Sequence, residues 1–319
     1  MALGGINTAT DFKFAFNKTT MERIARGLKN AARGGMSYMY LLTRADTRLE
    51  KKANCLAVVA IAKNESEYIR EWCAWHKAVG VDRIYLYDND SDDNMLDEID
   101  DFIRDGFVIC NSIHGKRMQN AAYNDALKKY GDDCTLMAFI DCDEYMVPLT
   151  SEPISKTILD AFSVSKLCGG IGINWCMYGS SGYESKPDGL CVESFTYRAK
   201  CPGGKGIEHI KSVVAPKCVK SFIKNPHSPE YERGYCGFDF YGSPIGGPFN
   251  RIDNYKGIKL NHYFTKSLSQ WKKRRGMPRA DTGEYRTLSE FYEHDNNDVY
   301  DPVPVELIEK TKEFMQRCV

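Results

Sequence analysis

Residues Met137–Val147 (Met-Ala-Phe-Ile-Asp-Cys-Asp-Glu-Tyr-Met-Val) concentrate the chemistry of this chain. An apolar run ends at Ile140, is cut by Asp141, Asp143 and Glu144, and then resumes. Three carboxylates crowded in a low-dielectric position repel one another unless a cation sits among them. In an extended chain Asp141 and Asp143 face one side and Cys142 the other. Two hard oxygen ligands on one side suit Mg²⁺ or Mn²⁺, with waters and phosphate oxygens completing the shell. The plain alternative is a solvated acidic turn after a strand, because short motifs are weakly specific.

The elements around this motif can be read from hydrophobic pattern. Leu136–Ile140 reads as a strand buried on both faces. So does Cys55–Ala62, a near-continuous run of branched and small apolar residues. Asp82–Tyr87 and Phe107–Cys110 are two further strands. Between them lie helical patterns: Tyr68–Val79, with Trp72, Trp75 and Val79 on one face and Gly80 as a stop, then Met95–Asp105 and Gln119–Tyr130. Strand and helix alternating at this spacing predict a parallel sheet with right-handed crossovers and helices on both faces. Ligands of such sheets bind outside the carboxyl ends of the strands. Asn64 and Glu65, Asp88 and Asn89, His114–Arg117, and Asp141 and Asp143 all fall there.

Composition narrows the field. Lys+Arg and Asp+Glu both number 43, so no net charge points to nucleic acid. Hydrophobic content of 43% fits an ordinary globular chain of 319 residues, with room for one large α/β domain. The 12 cysteines are scattered, with neither a Cys-x-x-Cys pair nor zinc-ligand spacing, which reads as a reduced, cytoplasmic protein. Residues 1–53 form a basic N-terminal extension, helical or partly disordered. Within it, 20–40 carries Arg23, Arg26, Lys29 and Arg33 among Met21, Ile24, Leu28, Met36 and Met39. That stretch reads either as an amphipathic helix at the inner face of an anionic membrane or as a solvated extension.

Several motifs, in order, resemble family 92 glycosyltransferases and their bacterial family-2-like relatives. They are Lys63-Asn64-Glu65, Tyr68–Trp72, His76, Gly80-Val81, Tyr85–Asn89 and Ser91-Asp92. Asp141-Cys142-Asp143-Glu144 resembles the DXD motif of that family. Trp175, Tyr178–Gly182 and Lys211-Ser212 resemble its middle, and Asn261–Tyr263, Lys266-Ser267 and Arg275-Gly276 its end. The resemblance spans about residues 54–300. It implies a single GT-A-type domain: a mixed, mainly parallel Rossmann-like sheet flanked by helices, plus the N-terminal extension. Residues 54–150 would bind the nucleotide sugar. Residues 151–319 would bind the acceptor and return a metal- and diphosphate-binding segment.

The resemblance further implies a metal-dependent hexosyltransferase using Mn²⁺ or Mg²⁺ and a nucleotide-sugar donor, a uridine diphosphate sugar first among them. Its acceptor would be a glycan or lipid-linked glycan, as in polysaccharide biosynthesis. Asp141, Asp143 and His262 would be the metal ligands. Asn64, Glu65, Asp88, Lys116, Asp141 and Lys266 would contact the donor, and the basic run Lys272–Arg275 offers further diphosphate partners. An inverting mechanism needs a general base, for which Asp239, Asp281 and Glu184 are candidates. Asp239 stands out because the aromatic stretch Gly237–Phe240 would bury it and raise its basicity. A retaining mechanism would need no such base. Aromatic residues from Trp175 to Tyr241 suggest surfaces for sugar stacking, or simply core. Two rival readings stay open. One is a metal-dependent phosphohydrolase or nucleotidyltransferase, and the other a non-catalytic carbohydrate-binding protein.

Overall fold

A computed structural model describes residues 48–276 and 282–316. Ten strands share one sheet: β1 Asn54–Ala62, β2 Arg83–Asp88, β3 Val108–Ser112, β4 Cys134–Phe139, β5 Glu144–Pro148, β6 Cys168–Met177, β7 Ile210–Val214, β8 Cys236–Phe238, β9 Pro244–Ile245 and β10 Ile258–His262. Among the described residues eight α-helices accompany them: α1 Ile69–Ala78, α2 Asp100–Arg104, α3 Gln119–Tyr130, α4 Ile154–Phe162, α5 Cys191–Ser194, α6 Leu268–Arg274, α7 Leu288–His294 and α8 Val305–Gln316. Among the described residues no helix is long and apolar enough to cross a membrane. The membrane-surface expectation for residues 20–40 falls outside the described residues.

The first four strands pair in parallel in the order β3-β2-β1-β4, the Rossmann-like half expected from the sequence. Strand order reverses beside β1, and sheets of this kind take ligands at such a switch point, outside the carboxyl ends of the strands. Strict alternation along β1 explains why the sheet is covered on both faces. Leu56, Val58 and Ala60 pack with Trp72 and Trp75 of α1, while Ala57, Val59 and Ile61 share a second cluster with Tyr123 of α3 and Phe139. Beyond β4 the sheet turns mixed. Antiparallel β7 joins β4 to β6, and β10 lies between β5 (antiparallel) and β6 (parallel). Gly170 permits this part to close up, because a Cβ there would collide with the Tyr231 hydroxyl.

Helix α1 is tied to the strand after the acidic motif. Trp72 Nε1–H donates to the Glu144 carbonyl at 2.8 Å and Trp75 Nε1–H to that of Met146 at 2.9 Å. On the same helix Glu71 is almost fully buried and accepts the Cys191 and Val192 N–H groups that open α5. Burial pushes its carboxyl up to about 7, against the pull of those two N–H donors. A carboxyl raised in the fold favours the protonated form. Its stabilisation is therefore complete below the unfolded value near 4.5 and is lost as pH rises through about 7. Urea unfolding should show stability falling by up to roughly 3 kcal/mol between pH 5 and 8 on this group's account. Glu71→Gln should flatten that slope; an unchanged slope in the variant would count against the assignment.

Candidate active site

The acidic motif lies on a turn rather than on an extended strand. β4 ends at Phe139, the Glu144 N–H closes back on the Asp141 carbonyl at 3.1 Å, and β5 begins at Glu144. This corrects the alternation argument. Folding back between two strands points Asp141 and Asp143 at different cations, and each becomes the centre of its own cluster.

Asp143 is buried where β10 meets β5. Its Oδ1 lies 3.4 Å from His262 Nε2, and its Oδ2 accepts from Arg274 Nη2 at 3.0 Å. Burial alone would raise this carboxyl, but His262 and Arg274 outweigh it and hold it well below the usual range. Arg274 also stands 4.0 Å from Glu65, the residue that follows β1 by three positions, and Lys266 stands 4.0 Å from the other oxygen of Glu65. Local sequence sets up both cations. Lys266 takes φ +50°, an uncommon conformation for a side-chain-bearing residue, and lays its ammonium 3.8 Å over the Tyr68 ring. Ser267 then begins α6 with a capping box closed by Gln270, and α6 delivers Arg274 in its last turn. Of the basic run, Arg274 turns inward, whereas Lys273 pairs with Glu67 at the surface.

The Asp143–His262 pair fits a divalent ion. Adjacent ligands of an octahedral ion with bonds of about 2.1 Å sit about 3 Å apart. The donors are a carboxylate oxygen and an imidazole nitrogen, and His262 Nδ1 is buried without a hydrogen-bond partner. Among the described residues no group of three His, Cys, Asp or Glu side chains is gathered to hold a metal. Phosphate oxygens and water would have to complete the shell.

Asp141 is engaged elsewhere. Its Oδ2 accepts from Lys211 Nζ at 2.8 Å and its Oδ1 from Gln119 Nε2 at 2.6 Å, with the Tyr123 hydroxyl at 3.4 Å. Lys211 is fully buried on β7 and also lies 3.9 Å from Glu144. Glu144, at zero exposure, accepts from Trp175 Nε1–H at 2.6 Å and from the Asp141 N–H at 2.9 Å. Burial drives Glu144 upward and Asp141 and Asp143 reinforce it, while Lys211 opposes. Burial would lower Lys211, yet Asp141 and Glu144 raise it, so it stays charged. Lys211 thus supplies from within the protein the cation that the crowded motif demands.

Around Trp175 three imidazoles gather: His209 stacked at 4.7 Å and 19°, His262 tilted at 4.3 Å, and His227 edge-on at 5.2 Å. His209 and His227 were not visible as site residues in the sequence. There His209 merely precedes Ile210–Val214, a strand that also carries the polar Lys211 and Ser212. Of the other aromatics of this half, Tyr178, Phe195, Phe222 and Phe238 are buried in the core, whereas Tyr183, Tyr197 and Tyr241 are exposed.

The remaining expected residues lie as follows. Asn64 takes φ +56°, and its Oδ1 accepts from the Asp92 N–H at 2.9 Å. Asp88 Oδ1 accepts from the Ser91 N–H at 3.1 Å within the loop after β2, and the Asn64 N–H donates to Ser91 Oγ at 3.0 Å, which joins the loops after β1 and β2. Lys116 is exposed after β3. Asp239 Oδ1 accepts the N–H groups of Tyr241 and Ser243, so this carboxylate holds its own turn together. Glu184 is exposed, and Asp281 lies outside the described residues.

Fold and site together define a Rossmann-like α/β protein with its polar machinery at the switch point of the sheet. The sequence model of glycosyltransferase family 92 matches residues 51–231, more than half the chain. The chain therefore belongs to glycosyltransferase family 92, as its ordered motifs led one to expect. A family 92 protein of Arabidopsis thaliana is 27% identical over 187 residues, covering 55% of this chain and 32% of the relative. One of Oryza sativa is 24% identical over 185 residues, covering 58% and 31%. The chain thus spans about a third of the length of the curated relatives it matches. Among solved structures, S. aureus TarS 1–349 in complex with UDP-GlcNAc is similar at TM-score 0.37 and 13% identity, over 82% of this chain and 72% of that one. Glucosyl-3-phosphoglycerate synthase from Mycobacterium tuberculosis, with Mn²⁺, UDP and phosphoglyceric acid, is similar at TM-score 0.27 and 18% identity, over 38% and 43%.

Proposed function

We propose that the chain transfers a hexose from a uridine diphosphate sugar to a glycan hydroxyl, with inversion at the anomeric carbon. Family membership supports glycosyl transfer. The observation that carries the rest is the 3.4 Å approach of Asp143 Oδ1 and His262 Nε2 at the carboxyl edge of the sheet, with Arg274 and Lys266 alongside. In this reading Asp143 and His262 hold Mn²⁺ or Mg²⁺, and Asp141 with Lys211 and Glu144 forms the floor beneath the donor. When bound, the ion supplies charge neutralisation for the departing diphosphate. Arg274 and Lys266 are pre-placed cations near that leaving group, and they need no reorganisation at the moment of bond breaking. Asn64, Glu65 and Asp88 line the edge where base and ribose would lie, and Lys116 sits on the neighbouring loop. The acceptor is a glycan or lipid-linked glycan, and nothing in the charge balance favours nucleic acid.

Calorimetry with UDP tests the donor and the ion together. Binding should be measurable with Mn²⁺ and weaken at least about tenfold after chelation. Equal affinity in excess chelator would remove the ion from the reading. Lack of UDP binding under both conditions would remove the uridine donor. Product analysis separates the rivals: a phosphohydrolase or nucleotidyltransferase releases or moves phosphate, a transferase makes a new glycosidic bond, and a binding protein makes neither.

A further inference from the structure

We propose that His209 is the catalytic base that removes the proton from the attacking acceptor hydroxyl. This rests on the inverting-transferase reading above and fills the role left open by Asp239, Glu184 and Asp281. His209 sits just before β7, half-buried, with Nδ1 3.2 Å from the Gly206 carbonyl. A carbonyl can only accept, so Nδ1 carries the hydrogen and Nε2 presents a lone pair. Among the described residues no hydrogen bond engages that Nε2.

Position completes the case. Trp175 is the shared neighbour: its ring stacks on His209 and touches that of His262. One indole therefore spaces His209 from the Asp143–His262 pair. In-line displacement asks for this arrangement, with cationic groups on the leaving diphosphate and a base beyond the anomeric carbon. Trp175 is itself fixed by its hydrogen bond to buried Glu144, so the indole is held in place. On its outer side His209 meets Phe249 edge-on at 4.6 Å. Phe249 is 56% exposed, an open ring against which an acceptor sugar can lie.

The surroundings also keep the imidazole neutral. Burial lowers its proton affinity, and His262 and His294 push the same way. The Gly206 carbonyl and Glu208 oppose, and the His227 ring lies 5.6 Å away. In the step itself, the acceptor oxygen bonds to the anomeric carbon as its proton passes to Nε2, giving imidazolium. The bond from that carbon to the diphosphate oxygen breaks, and its electron pair leaves with the nucleoside diphosphate.

The test uses the whole chain with Mn²⁺, a panel of UDP-hexoses and a panel of methyl hexosides, with product configuration read by NMR. His209→Gln should lower kcat by at least roughly a hundredfold and abolish the acidic limb of its pH profile. Calorimetric affinity for UDP with Mn²⁺ should stay within about twofold of wild type. Should the glutamine variant fold poorly, His209→Ala with free imidazole added should regain part of the rate. A folded variant with kcat within about threefold of wild type, or with its acidic limb intact, overturns the proposal while leaving the transferase reading standing. Absence of transfer by the wild-type chain, or retained configuration, overturns that reading and the base with it.

Discussion

Asp143→Asn should bring sugar transfer down on the order of 10²–10³-fold and remove metal-dependent UDP binding. The amide keeps the shape of the side chain but loses the charge on which the site turns. In the native fold that carboxyl is held ionised by His262 and Arg274 despite burial. Asparagine therefore forfeits the negative charge beside His262 at Oδ1 and the ion-pair partner of Arg274 at Oδ2. Glu65, 4.0 Å from Arg274, remains to share its charge, so the fold should survive. Transfer assays and UDP calorimetry measure the loss, and thermal melting shows whether the chain is still folded. Normal turnover by a folded Asp143→Asn protein would remove Asp143 from the mechanism.

Lys211→Met should have the largest effect on stability, about 3–5 kcal/mol. Methionine fills much of the space left by the lysine stem. It cannot answer Asp141 at 2.8 Å or Glu144 at 3.9 Å, and the latter is wholly buried. A wholly buried carboxylate and a partly exposed one would then face each other without a cation, and one must take up a proton or the turn must open. A second change, Glu144→Gln, should return a good part of the loss by removing one of the stranded charges, a coupling that a double-mutant cycle in urea can read. If Lys211→Met unfolds within about 1 kcal/mol of wild type, Lys211 is not the internal counter-ion described above.

Much of the first half was legible because buried parallel strands announce themselves as continuous apolar runs. Cys55–Ala62 and Leu136–Ile140 were placed to within two residues, and the carboxyl-edge rule then located Asn64, Glu65, Asp88 and the acidic motif. What stayed hidden was which charges meet. Asp141 and Lys211 lie 70 positions apart, and nothing local says that an antiparallel β7 will slide between β4 and β6. A lone lysine inside Ile210–Val214 was the available hint, since a cation in a buried strand demands a carboxylate. Likewise the basic run gave no means of choosing Arg274 over Lys273. That choice depends on where the Ser267 cap starts the helix and so on the phase of its turns. Asp239 looked promising from its aromatic surroundings. Its burial proved real, but its Oδ1 accepts two backbone N–H groups of its own turn and its Oδ2 faces the Asn250 amide at 3.5 Å.

Strand β10 sits between β5 and β6, and the arginine that reaches Asp143 follows it, 131 positions after that aspartate. During synthesis the ribosome therefore releases the acidic turn long before its partners exist. The nascent chain can assemble its first parallel layer early, yet it stays chemically silent until the late strand threads into its waiting slot. Closing so long a loop is slow relative to local structure. Competence should arrive as a single late event, and a chain released short of Arg274 should be inert however well its opening half has folded.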